Sequence, residues 1–251
     1  MAPDGAQRHR VVLYNPAAEH YTMPLALVAI ASGIDRRRYA VDIVDARLEA
    51  RPHRALLRAA RGALAVGVTV LTGAPLLDAL AASRAVKTAY PKVPVVWGGW
   101  HPSLFPAECA RESAVDAVVA GQGEVAFQDL VESLAAGGSL PGAPVLGARR
   151  DLDSLPAYDY ERIPVERYFA LKGRRQLDYH SSQGCPYRCG FCADPAVFKR
   201  QWNGLPARRM LEELLALHRR YAFDEVAFQD ELFFVDQRRA QDFARGLLAA
   251  G

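Results

Sequence analysis

The chain has 251 residues, of which 51% are hydrophobic and 24% charged, with a formal net charge of +3. This is an ordinary balance for a soluble globular protein, and so small an excess of positive charge points to neither nucleic acid nor a membrane surface as a partner. At ~100–200 residues per domain, the length allows one large domain or two small ones.

Met1–Arg10 is short, polar and basic, and lacks the apolar core of a signal peptide. The longest uncharged run, Gly62–Leu77, is broken by Gly67, Thr69, Thr72, Gly73 and Pro75. It falls short of the ~20 residues that a spanning helix needs. The expectation is a cytoplasmic protein without a membrane span, in a compartment that keeps thiols reduced.

From residue 11 onward, short valine-rich runs alternate with amphipathic stretches. Val11–Tyr14, Val41–Val44, Ala63–Val70, Val93–Trp97 and Val115–Val119 read as parallel strands buried on both faces. Pro24–Asp35, Pro52–Arg61, Pro75–Tyr90, Pro106–Glu112 and Val125–Ala136 read as helices, several with proline at the start. Five strand–helix units in succession predict an α/β domain with an open, doubly wound, flavodoxin-like (Rossmann-type) sheet over residues 1–140. Gly137–Pro144 marks its boundary.

Ligands of such sheets bind outside the carboxyl ends of the strands. Here those ends are Asn15-Pro16, Thr69-Val70-Leu71-Thr72-Gly73, Gly98-Gly99-Trp100-His101-Pro102 and Gly121-Gln122-Gly123-Glu124. Glycines there let a large ligand approach the backbone. Gly121-x-Gly123-x-x-Ala126 imitates a dinucleotide fingerprint, but that motif belongs on the first strand of its unit, with an acidic residue about 20 positions later. Here it sits on the fifth strand.

Residues 141–176 form a Pro- and Tyr-rich connector that reads as a surface-packed linker, opened by Leu152-Asp153-Ser154-Leu155-Pro156. Leu177–Ser182 reads as a strand, Pro206–Tyr221 as a helix with Met210, Leu214, Leu217 and Tyr221 on one face, Glu225–Gln229 as a second strand and Gln237–Ala250 as a second helix. Between the first strand and its helix lies Gly-Cys-Pro-Tyr-Arg-Cys-Gly-Phe-Cys, which places Cys185, Cys189 and Cys192 at C-x3-C-x2-C spacing. Three thiolates on one short loop hold three corners of a four-iron cubane and leave the fourth iron open to a chelating amine and carboxylate. Zinc needs a fourth ligand, which would have to be His180 or a carboxylate, because Cys109 lies far upstream. Ferredoxin spacings differ and use a fourth thiolate.

The cysteine motif, with Phe191 directly before its last member, resembles that of the radical S-adenosylmethionine (SAM) enzymes. The first domain is similar to the cobalamin-binding domains that precede their barrels. Thr69-x-Leu71 matches the family's Ser/Thr-x-Leu element, Gly98-Gly99 its Gly-Gly element, and Val118–Glu124 its strand-five ending. The resemblance is to the cobalamin-dependent radical SAM methyltransferases and to proteins like the anaerobic Mg-protoporphyrin ester cyclase. One departure separates the chain from corrinoid carriers that place a histidine under cobalt through Asp-x-His-x-x-Gly. Here His20 follows Glu19 directly and Met23 stands where glycine is needed, so His20 is expected to be a loop residue and His101 a loop or packing residue.

This resemblance implies three cofactors: a 4Fe-4S cluster on Cys185, Cys189 and Cys192, S-adenosyl-L-methionine, and cobalamin. It places Phe191, Asp230 and Glu231 at S-adenosylmethionine, with a helix-capping or solvated pair as the alternative for the two acids. It places Asn15, Thr69, Leu71, Gly98, Gly99, Trp100, Gly121, Gly123 and Glu124 at cobalamin. The implied activity is generation of a 5′-deoxyadenosyl radical, hydrogen abstraction from an unactivated carbon and its methylation. Oxidative ring closure and a non-catalytic cobalamin-binding role remain as alternatives. A small-molecule substrate and an electron donor such as flavodoxin or ferredoxin are implied as partners. Residues 177–251 would supply the first two of about six strand–helix units of the β/α barrel, so the chain is expected to be a fragment of a longer protein.

Overall fold

A computed structural model describes residues 8–19 and 21–250, and His20 therefore lies outside the described residues. The chain divides into two compact units. Of the described residues, one comprises 8–19 and 26–149, the other 21–25 and 150–250.

The first unit runs β1 (His9–Asn15), α1 (Leu25–Gly33), β2 (Tyr39–Asp45), α2 (Pro52–Ala60), β3 (Ala65–Thr69), α3 (Ala74–Ala89), β4 (Val95–Gly98), α4 (Trp100–Leu104), α5 (Pro106–Ala110), β5 (Ala117–Gly121), α6 (Glu124–Ala135) and β6 (Val145–Gly147). Its strands form one six-stranded sheet in the order β2-β1-β3-β4-β5-β6, and every pair is parallel. Successive residues of a strand point to opposite faces. Val12 and Tyr14 accordingly pack with Leu56 of α2 and Ala79, Ala82 and Val86 of α3. Val11 and Leu13 pack on the other face with Leu27 and Ala31 of α1 and Phe127, Leu130 and Val131 of α6. A β-carbon on Gly67 would come within 2.9 Å of both Leu13 and the Phe127 ring, so this glycine makes room for the aromatic ring.

Three features depart from the sequence expectation. Val93 and Val115 close turns, through Val93 N–H to Tyr90 O and Val115 N–H to Glu112 O, so β4 and β5 start two residues later than their valine runs. Burial of a β-branched residue does not by itself make it a strand. Trp100–Leu104, expected as loop, is a short helix that opens directly after Gly99. Beyond the Gly137–Pro144 segment, β6 adds a sixth strand on the edge of β5.

The second unit contains α7 (Val165–Lys172), β7 (Gln176–Tyr179), β8 (Ser182–Gln183), α8 (Asp194–Phe198), β9 (Asn203–Gly204), α9 (Ala207–Tyr221), β10 (Glu225–Phe228) and α10 (Gln237–Ala250). β7 and β10 pair in parallel, with α9 on the connection between them, as at the start of a β/α barrel. Met210 and Leu214 of α9 and Phe243 of α10 are buried, and the Phe228, Phe233 and Phe243 rings pack against one another. The connector is no surface linker: α7 lies within it, and Tyr160, Ile163, Val165, Tyr168 and Phe169 are all buried. The expected strand Leu177–Ser182 breaks at His180 and Ser181. The Ser181 N–H turns to Asp230 instead of a neighbouring strand, and β8 then pairs antiparallel with β9. No helix among the described residues is long and apolar enough to cross a membrane.

Candidate cofactor sites

The strand order reverses between β1 and β3, which places the ligand crevice of a doubly wound sheet at the carboxyl ends of these strands and their neighbours. The loops there are tied to one another. Val70 N–H donates to Gly98 O (2.8 Å), and His101 N–H donates to Val70 O (3.0 Å). Thr72 Oγ1 and His101 Nδ1 lie 3.1 Å apart, and the His101 ring packs on Phe105. Ser103 Oγ donates to Gly99 O (2.6 Å) and accepts from Gly121 N–H (2.8 Å), so it bridges the endings of β4 and β5. Ser103 carries no sequence signal, because a serine in a short polar segment has many ordinary uses.

After β1, Asp78 of α3 fixes the loop that begins at Asn15. Its Oδ2 accepts from Tyr14 OH (2.8 Å) and Ala17 N–H (2.9 Å), and its Oδ1 faces His53 Nε2 at 2.7 Å. Burial and the Asp78 carboxylate push the Tyr14 hydroxyl far up, so it stays a donor. Of the sequence-predicted cobalamin contacts, Asn15, Thr69, Gly98, Gly99, Trp100, Gly121, Gly123 and Glu124 are half-buried at this edge, and Leu71 is exposed.

The glycines differ in kind. Gly99 has φ +96°, and a β-carbon there would come within 2.9 Å of Thr69 Oγ1 and 3.0 Å of Val70 N. It is needed for the chain's own packing of the β3 ending against the β4 ending. At Gly98 the nearest atom to a β-carbon is Val119 O at 3.5 Å, and at Gly123 it is Ile30 Cδ1 at 3.7 Å. A β-carbon at either glycine would meet only ordinary contacts, so the chain's own packing does not demand glycine there.

In the second unit the cysteine loop follows β8, at the carboxyl end of the strand layer, where β/α barrels carry their catalytic loops. Cys185 is half-buried, whereas Cys189 and Cys192 are exposed, and Phe191 is 94% exposed. Within the loop, Cys192 N–H donates to Cys189 O (3.1 Å). Among the described residues, no three His, Cys, Asp or Glu side chains gather closely enough to hold a metal ion. Fit is therefore judged on donor chemistry: three thiols within eight residues suit a cluster with one open iron. His180, the fallback zinc ligand, instead pairs through Nδ1 with Tyr158 OH at 3.2 Å. Burial pushes its pKa down, against the pull of Asp230. Cys109 is buried in the first unit, and burial raises its thiol pKa.

The base of the cysteine loop is held by acids. Asp230 accepts from Ser181 N–H (2.8 Å), Ser181 Oγ (2.6 Å) and Ser182 Oγ (2.6 Å). Glu231 Oε2 accepts from Gly184 N–H (3.0 Å). Burial raises the Glu231 pKa, and the neighbouring Asp194 and Asp230 add to the rise. Gly184 has φ +80°, and a β-carbon there would run into Gln201 O. Asp194, at the start of α8, is 3% exposed, and its carboxyl pKa is also raised by burial. It accepts a hydrogen bond from the Cys185 backbone, which works against that rise. Its only sequence signal is its place two residues after Cys192.

The B12 binding domain model matches residues 11–131. An uncharacterized methyltransferase of Pyrococcus horikoshii is 31% identical over 238 residues, which is 88% of this chain and 51% of that protein. The anaerobic magnesium-protoporphyrin IX monomethyl ester cyclase of Synechocystis is 24% identical over 63% of this chain and 34% of its own. Among solved structures, the radical S-adenosylmethionine methyltransferase TsrM of Kitasatospora setae superposes with a TM-score of 0.77 at 18% identity. The match covers 96% of this chain and 51% of that one. A second structure of TsrM holds cobalamin and a [4Fe-4S] cluster. Residues 11–131 are thus a B12-binding domain. Beyond that domain, the chain is similar to proteins named as methyltransferases and as the anaerobic cyclase, and it shares the fold of the matching part of TsrM. It spans about half the length of the curated relatives it matches.

Proposed function

We propose that this chain supplies the cofactor-binding part of a cobalamin-dependent radical SAM methyltransferase acting on an unactivated carbon of a small molecule. The observation that carries this is the conjunction, on one chain, of a B12-binding domain and a C-x3-C-x2-C loop at a strand end. When bound, the cofactors supply the difficult chemistry: a one-electron cleavage of S-adenosylmethionine, a 5′-deoxyadenosyl radical, and a methyl group carried by cobalamin.

The protein's own residues bind and orient. In the first unit, Gly98, Gly121 and Gly123 present open backbone to cobalamin, with Asn15, Thr69, Leu71, Trp100 and Glu124 around them. Asp78 and Ser103 hold the loops that carry these contacts. In the second unit, Cys185, Cys189 and Cys192 hold the cluster, with Phe191, Asp230 and Glu231 at the S-adenosylmethionine site. An electron donor such as flavodoxin or ferredoxin supplies the electron. Similarity to the anaerobic cyclase favours one other outcome of the same radical, oxidative ring closure.

The test is anaerobic reconstitution with iron, sulfide and hydroxocobalamin, followed by a metal count. About four irons and one cobalt per chain are expected. Cobalt without iron leaves only a cobalamin-binding module, and zinc in place of iron removes the radical chemistry. In the parent protein, consumption of methyl donor together with a product heavier by one methyl group separates methyl transfer from cyclisation.

A further inference from the structure

The stretch between β8 and β9, residues 184–202, leaves and rejoins the second unit at one antiparallel neck, where Ser182 pairs with Gly204 and Gln183 with Asn203. It carries the three cysteines and four charged residues: Arg188, Asp194, Lys199 and Arg200. Asp194 is buried, whereas the three cations are exposed. The surface of this stretch is therefore positive wherever it is charged. The neighbouring acids Asp230 and Glu231 are bonded at its base, to Ser182 and Gly184. Tyr187, beside Arg188, is 63% exposed.

The two cations after α8 stand in an unusual backbone. Lys199 and Arg200 have φ +54° and +59°, a left-handed pair without a glycine. That region is strained for any residue with a bulky side chain, and strain of this kind gathers at functional sites. Lys199 has an ordinary duty, because its Nζ donates to Ala196 O (2.6 Å) at the end of α8. Among the described residues, Arg188 and Arg200 have no ion-pair partner. The turn lies against the start of the cysteine loop, since Gln201 O and the Phe198 side chain press on Gly184.

We propose that Arg188, Lys199 and Arg200 form a docking surface for an acidic one-electron carrier protein, which delivers its electron through this face of the cysteine loop. This rests on the proposed cluster of the chain. Opposite charge steers such a carrier onto the loop and sets its orientation there. An exposed tyrosine beside an arginine suits the centre of a protein interface. The left-handed turn keeps two cations in place of glycines because their charge is used outside the chain.

The test uses the reconstituted 251-residue chain and two reductants: reduced flavodoxin, an acidic protein, and photoreduced deazariboflavin, a small uncharged molecule. In both cases one electron leaves the reductant and enters the oxidised cluster, and the growth of the reduced cluster's EPR signal gives the rate. The double variant Arg188→Glu/Arg200→Glu is expected to keep its iron. At low ionic strength its reduction by flavodoxin should slow by about tenfold or more, the loss of electrostatic steering. Its reduction by deazariboflavin should not change. Added salt should slow the flavodoxin reaction of the wild type and leave that of the variant unslowed. Arg200→Gly should melt no lower than the wild type, because glycine takes the left-handed turn without strain, and should react more slowly with flavodoxin alone. A wild-type flavodoxin rate in the double variant, or an equal loss with both reductants, overturns the docking surface alone. Should the double variant lose its iron, Arg200→Gly decides, and an unchanged flavodoxin rate there overturns the docking surface. A wild-type chain that holds no iron overturns the proposed function and this surface with it.

Discussion

The strand-end loops of the first unit and the cysteine loop of the second are held in opposite ways. In the first unit, the loops after β3, β4 and β5 are bonded to one another: Val70 to Gly98, His101 to Val70, Ser103 to both Gly99 and Gly121. These ties use backbone groups and one small side chain. In the second unit, the bonds gather at the base of the loop, on Ser181, Ser182 and Gly184, while Cys189, Phe191 and Cys192 stand exposed. Preorganisation therefore matters at different places in the two units.

Substitutions that separate the two units break or sharpen this contrast. The largest effect is expected from Cys189→Ala. Iron after reconstitution should fall from about four per chain to near zero while cobalt stays at its wild-type level. Loss of both, or of neither, contradicts independent loading.

Next comes Lys172→Met in the second unit. Lys172 Nζ lies 2.5 Å from Asp178, a carboxylate 1% exposed that also takes Met23 N–H. Removing the cation leaves a buried charge short of its partner, at a cost of about 3–5 kcal/mol in denaturant unfolding. A change below about 1 kcal/mol would show that Met23 and Gln229 suffice for Asp178.

The glycine pair gives a smaller and more discriminating effect. Gly99→Val forces a β-carbon onto Thr69 and Val70 at positive φ, so cobalamin binding and thermal stability should fall together. Gly98→Ala fits with ordinary contacts and should melt within a few degrees of wild type, yet bind cobalamin about tenfold more weakly. Equal affinity in Gly98→Ala removes this glycine from the ligand edge.

The smallest effect is electrostatic. Burial holds the His180 pKa below its ordinary value, so the unfolded chain takes up the proton first as the solution is acidified. Stability present above the ordinary histidine value near 6.5 is lost as pH falls through and below it. His180→Gln should flatten that slope between about pH 7 and pH 5.

Much of this architecture is legible in the residues. The valine runs and proline-led helices give β1 to β5 and their helices because burial on both faces demands apolar strands. The cysteine spacing stands out because no ordinary core or loop needs three thiols in eight positions. What escaped has physical reasons. β6 has three residues, too few for any period to show. Trp100–Leu104 contains Pro102 and reads as a loop until its hydrogen bonds are seen. Gly99 carries a packing duty against Thr69 and Val70 that its sequence motif does not show. Asp230 and Glu231 look like a matched acidic pair, but three donors on Asp230 set them apart.

Residues 21–25 belong to the second unit, although they precede nearly all of the first along the chain. Met23 N–H finds its carboxylate on Asp178, 155 residues later. No single cut therefore parts the two units cleanly. A nascent chain released as far as residue 149 carries a short orphaned piece of a partner not yet made, and closing that contact spans most of the protein. The entropy of such a closure grows slowly with length, but the wait does not. Residues 21–25 can join the second unit only once Asp178 has been made, and protease nicking near them during refolding should report how much of that unit has formed.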